Sequence, residues 1–136
     1  MLKLLVPLFS AAIALTWFSS GIASGDSNGE ETPSIYVSMH PHFLTNLADG
    51  KKFVQIKAQA MVSNEATQTA LRLHMPAVRH ELLMLLGDMQ AADLKGVKQK
   101  QQFMDNAVAV MREVLTKRQG EAIDVKGMFI TSMVIQ

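Results

Sequence analysis

The chain has 136 residues and no cysteine. That absence excludes disulfides, thiolate metal sites and cysteine nucleophiles together, and it leaves the compartment open. Net charge is nearly absent too: 13 Lys and Arg against 12 Asp and Glu give +1, with both signs mixed along the chain. No basic patch with interleaved aromatics occurs, which argues against nucleic acid as a partner. Catalytic constellations are also missing. His80-Glu81 is not part of a His-Glu-x-x-His motif, and His74 and His80 are six apart rather than four. Asp88 and Asp93 are better explained as solvated connector residues than as paired carboxylates. The only glycine-rich stretches fall in residues 24–34, with no following P-loop lysine and serine. The serines form no nucleophile elbow. His40 and His42 would share one face of a strand and could touch one metal ion. Zinc needs three or four ligands, so they are assigned as exposed histidines flanking Pro41. The sequence therefore assigns no catalytic, cofactor-binding or metal-binding residue, and predicts that the protein is not an enzyme.

What the sequence does contain is apolar. Hydrophobic residues make up 49% of it, enough for one core, and the length leaves no room for a second. Ten methionines are many for this length. Methionine fills irregular gaps in cores and also builds adaptable contact surfaces. Core filling is the simpler use. The alternative is an exported binding module for a peptide or lipid, with Met61, Met84, Met104 and Met111 as its apolar surface.

Residues 1–23 read as a targeting segment. Lys3 supplies the positive start, Leu4 to Phe18 is apolar apart from Ser10 and Thr16, and Gly21-Ile22-Ala23 offers a cleavage site after Ala23. Leu4 to Ala23 is also long enough to span a membrane, so a cleaved signal and a retained inner-membrane anchor both remain open. Either way the remainder is expected to leave the cytoplasm, most naturally for a bacterial periplasm. Residues 24–34 hold no large apolar side chain and are expected to form a flexible linker.

Residues 35–136 form the expected domain, of α+β class. An extended segment from Ile35 to Leu47, broken at Pro41, leads to an Asp49-Gly50 turn and a strand from Phe53 to Val62. Its even-numbered residues are apolar throughout, so that face meets the core and the two runs form a hairpin. Asn64 is a good N-cap for a helix burying Ala66, Ala70, Leu71 and His74. A second helix has Pro76 at its first position and Gly87 as a left-handed stop. Val78, Leu82, Leu83 and Leu86 form its stripe; Met84 and Leu85 widen it, so this helix is expected at the centre of the domain. A single turn is expected at Ala91–Leu94. The long helix from Val97 to Arg118 buries Phe103, Met104, Ala107, Val108, Met111, Val114 and Leu115, and Gly120 ends it. Ile123 to Ile135 closes the chain as a strand tied down at its end. Both its faces are largely apolar, which predicts a central or doubly covered strand. The expected fold is an antiparallel β-hairpin plus the C-terminal strand, packed against about three helices.

Three of these stretches resemble the FliL family, the flagellar basal body-associated proteins. Phe43 to Ile56 is like its "F-x-x-N-L-x-x-G" turn and first long strand, Met75 to Leu86 like its "M-P-x-[IV]-R" helix, and Met128 to Gln136 close to its terminal "L-F-T-x-F-V-x-Q" strand. Typical members start with a basic cytoplasmic tail and a transmembrane helix. This chain starts almost directly with its apolar segment, and so resembles a shorter exported relative. Its connector from Asp88 to Lys98 also lacks the family's proline-glycine element. The resemblance implies a stomatin-like periplasmic domain, no enzymatic activity and no cofactor. The implied partners are flagellar stator or basal-body proteins, further copies of itself in a ring, and the inner membrane if residues 4–23 are retained. The implied role is support of motor torque, flagellar rotation, swarming and chemotaxis. Candidate contacts are the polar side of the Lys98 to Arg118 helix and the edge near Tyr36 to Met39.

Overall fold

The computed structural model describes residues 33–136. The targeting segment expected at 1–23, and all of the 24–34 linker except Pro33 and Ser34, lie outside the described residues. The elements run β1 (Ile35–Ser38), β2 (Phe43–Asn46), β3 (Phe53–Val62), α1 (Glu65–Leu73), α2 (Met75–Gly87), a 3-10 turn (Ala91–Leu94), α3 (Val97–Gln119) and β4 (Val125–Ile135). The core lies wholly within Glu31–Gln136, which forms one compact unit.

Alternation on β3 sets the architecture. Val54, Ile56, Ala58, Ala60 and Val62 are all buried, as period-two patterning requires. Both edges of β3 are paired. On one side β1 and β2 lie end to end, Ile35 to Ser38 opposite Val62 to Gln59 and Phe43 to Asn46 opposite Ile56 to Phe53. On the other side β4 pairs with it from Val54 to Val62. The result is the expected α+β domain: a four-stranded antiparallel sheet with three helices on one face. The β2–β3 turn is held by Asp49, whose Oδ1 accepts from the Lys51 and Lys52 amides, and by Gly50 at φ 66°.

The hub is β3 and not α2. Val78, Leu82 and Leu86 of α2 are buried against α3 and β2, but Met84 is 55% exposed. A two-layer domain leaves the outer side of each helix to solvent, so α2 cannot be covered all round. Gly87 is its last helical residue, followed by Asp88 at φ −84°, so it is not a left-handed stop. In α1, Asn64 caps as expected, accepting from the Thr67 amide at 2.8 Å. The cap sets the helix phase so that Thr67, Ala70 and Leu71 are buried and Ala66 is exposed, a correction to the expected stripe. In α3, Phe103, Ala107, Val108, Met111 and Leu115 are buried, Met104 and Val114 partly so, and Gly120 takes the left-handed conformation at φ 75°.

The closing strand is the main departure. Among the described residues β4 pairs only with β3, so it is an edge strand and not a central one. Two register shifts explain its doubly apolar look. Thr131 is skipped between the pairs Lys57–Ser132 and Ala58–Ile130, and Lys126 between Met61–Gly127 and Val62–Val125. Each extra residue flips the inward set. The core side thus receives Val125, Met128, Ile130, Met133 and Ile135, and the outer side Gly127, Phe129, Ser132 and Val134. The Thr131 hydroxyl donates to the Lys57 carbonyl at 3.2 Å and pins the first bulge. Gln136 exchanges both backbone hydrogen bonds with Phe53.

The joint between β1 and β2, where His40–Pro41 is cis, is held from α2. Arg79 donates to the carbonyls of Pro41 and His42, and its guanidinium lies 4.6 Å from the centroid of the Phe43 ring. At the other end of the sheet Arg112 Nε donates to the Val125 carbonyl at 2.9 Å, and Asp124 bridges Arg112 and Lys126.

Three outcomes are expected in chemical denaturation. Gly120→Ala should cost about 1 kcal/mol, because its φ disfavours any Cβ. Gly87→Ala should stabilise by about 0.5 kcal/mol, since its backbone is helical and a Cβ would meet nothing closer than 3.9 Å. Arg79→Lys should cost about 1–2 kcal/mol, because an ammonium cannot reproduce a planar fork stacked on Phe43. Acid unfolding adds a fourth. The Lys126 hydrogen bond, reinforced by the charges of Lys126 and Arg112, holds the Asp124 carboxyl below its ordinary value despite some desolvation. Its stabilisation is full above the unfolded carboxylate pKa and is lost as pH falls through the lowered folded value. Asp124→Asn should therefore lower stability slightly at neutral pH and leave it nearly unchanged in strong acid, which flattens the low-pH limb of the stability curve.

Candidate interaction surface

Pairing across β3 places one set of side chains on the face that carries no helix among the described residues. Tyr36 lies opposite Met61, Leu44 opposite Gln55, Asn46 opposite Phe53, and Phe129 and Val134 opposite Gln59 and Gln55. Eight large apolar side chains are exposed among the described residues, and five of them fall here: Tyr36, Leu44, Phe53, Phe129 and Val134. The rings of Tyr36 and Phe129 approach to 6.1 Å between centroids. Scattered exposed apolar residues need no explanation, but concentration on one face marks a contact surface. Surface hollows lie between α2 and α3, where α1 meets the end of α3, and along the α3–β4 seam, which Phe129 borders at the edge of this face. The open face offers separated side chains on a broad sheet rather than a pocket.

Its electrostatics are one-signed. None of the four strands contains Asp or Glu, and the sheet's only charges are Lys57 and Lys126. Lys126 is partnered by Asp124. Lys57, exposed in the middle of β3, makes no ion pair among the described residues. The carboxylates sit instead on the helices and their connectors, apart from Asp49 and Asp124 at the strand ends.

The sites expected from sequence fare differently. His40 and His42 are brought together, with ring centroids 5.8 Å apart. Among the described residues no third His, Asp or Glu joins them to make a group able to hold a metal ion. The four methionines do not share one surface: Met111 is in the core, Met61 on the open face, Met84 on the exposed side of α2 and Met104 at the α3–β4 seam. Of the edge from Tyr36 to Met39, Tyr36 is exposed while Val37 and Met39 are buried. The polar side of α3 is exposed and bonds to itself, through Gln101–Asp105 at 2.9 Å and Lys117–Glu113 at 2.7 Å. Exposed pairs of this kind contribute little energy. Leu44, Phe53, Phe129 and Val134 were not anticipated as contact residues. One signal was present: Phe53 and Met61 are apolar yet out of phase with the buried even-numbered set.

No helix among the described residues is long and apolar enough to cross a membrane. Compared singly, no curated protein matches the chain. The family model for FliL, flagellar basal body-associated protein, matches residues 36–136, which takes in all but the first residue of the folded elements. The open-faced sheet and its helices are thus what that match spans, and the chain belongs to the FliL family of flagellar basal body-associated proteins.

Proposed function

We propose that this protein is a non-enzymatic docking part of the flagellar basal body, supporting the ion-driven stator units and thereby torque, swarming and chemotactic rotation. Residues 1–23 deliver the domain to the periplasmic side of the inner membrane, as a cleaved signal or a retained anchor, and residues 24–34 serve as its leash. Copies assemble side by side in a ring through strand edges, where unpaired backbone groups invite a neighbouring chain. The observation that carries the docking reading is the gathering of five of the eight exposed large apolar side chains on the helix-free face. A generic ligand-binding role has less support, because the methionines it would use are dispersed.

In a motile host, deletion should shrink swimming and swarming zones without affecting growth, and the intact gene should restore them. A Tyr36→Ser/Phe129→Ser double variant should accumulate normally yet fail to restore motility. Leu73→Ser, which removes an apolar side chain exposed elsewhere, should restore it. Full complementation by the double variant would sink the docking reading.

A further inference from the structure

The occupant of the open face can be narrowed by its charge, its flatness and its tether. A second copy packed face to face about a two-fold axis is disfavoured. Lys57 lies near the middle of β3 and the strands hold no carboxylate, so such a pair would bring lysine to lysine. Protein partners anchor through a few side chains in desolvated pockets. Here the aromatic and aliphatic residues are spread over three strand widths; Phe129 borders the α3–β4 hollow at one edge, and Tyr36, Leu44, Phe53 and Val134 stand away from the hollows described above. A broad apolar face with aromatic side chains and a cation suits the boundary between lipid headgroups and acyl chains, where Tyr and Phe rings bury while Lys meets phosphate.

The tether fits the same occupant. The uncharged apolar run ends at Ala23 and β1 begins at Ile35, so the intervening chain spans at most about 40 Å. Tyr36, the second residue of β1, is already on the open face. The acidic residues Asp26, Glu30 and Glu31 precede β1 in the sequence. Twelve of the thirteen basic residues but only nine of the twelve acidic ones fall in residues 33–136, which leaves the folded part more cationic than the whole.

Resting on the docking role argued above, we propose that the helix-free face of the sheet lies against the surface of an anionic lipid bilayer, with Tyr36, Phe53 and Phe129 at the headgroup boundary and Lys57 on lipid phosphate. The sequence supplies a direct probe. Tyr36 is the only tyrosine, and the only tryptophan, Trp17, precedes the apolar run's end. A chain starting at Ser24 keeps the whole core and has a single strong fluorophore, located on the proposed contact.

That chain should bind phosphatidylglycerol vesicles and not phosphatidylcholine vesicles in flotation, and brominated phosphatidylglycerol should quench Tyr36. Lys57→Glu should weaken binding roughly tenfold or more, because a surface lysine is worth about fivefold and the change also adds repulsion. Gln59→Glu tests the same face if Lys57→Glu folds poorly. Lys98→Glu, on the exposed side of α3, should change binding little. No binding to phosphatidylglycerol vesicles would overturn the proposal, as would equal loss from Lys57→Glu and Lys98→Glu, or concentration-dependent dimerisation abolished by Phe129→Ser. Should vesicles be ignored while the Tyr36→Ser/Phe129→Ser variant still fails to restore motility, the lipid proposal falls and the docking role stands.

Discussion

Everything in this domain hangs on the two-sided pairing of β3. Among the described residues it is the one strand with partners along both edges, and its inward residues are all small or β-branched aliphatics. Their burial fixes which face receives the helices. Pairing then transmits that choice outward, because residues directly opposite in an antiparallel ladder point to the same side. Phe43 is buried because it faces Ile56, and Tyr36 is exposed because it faces Met61. One alternating stretch of ten residues thus decides the orientation of the other three strands.

The same constraint produces the functional asymmetry. With the three helices on one side, the opposite face has no cover among the described residues, yet it keeps aromatic and aliphatic side chains that a merely solvated face would not need. Carboxylates are displaced to the helical side, leaving Lys57 alone among the outward residues of β3. The Arg79 fork joins the two halves of this arrangement. It reaches from α2 to the carbonyls between β1 and β2, so the helical layer fixes the joint of the broken edge. Arg79, which follows the Met-Pro start of α2, therefore has a structural task that its own helix does not show.

Several features were legible in the sequence for sound physical reasons. The Asp49-Gly50 turn, the Asn64 cap, the exact alternation of Phe53 to Val62 and the Gly120 stop are local: each depends on residues within a few positions. The errors are also physical. Gly87 sits where a helix could stop, but the backbone stays helical through it, so its glycine character is not used. Ala66 and Thr67 compete for the buried line of α1, and the cap at Asn64 settles the phase. In β4 a strict period of two mixes two faces into one, because Thr131 and Lys126 are absorbed as bulges that only pairing with β3 reveals.

By itself, then, the sequence determined the kind and order of the elements, the inward face of β3 and the lack of any recognisable catalytic motif, because periodicity, turns and caps act over short range. It also carried three separated stretches that resemble the FliL family. Tertiary structure alone decided that β4 is an edge, that α2 is half open, and that Tyr36, Leu44, Phe53, Phe129 and Val134 share one surface. Those residues come from four strands, and only the register of their hydrogen-bonded ladders brings them side by side.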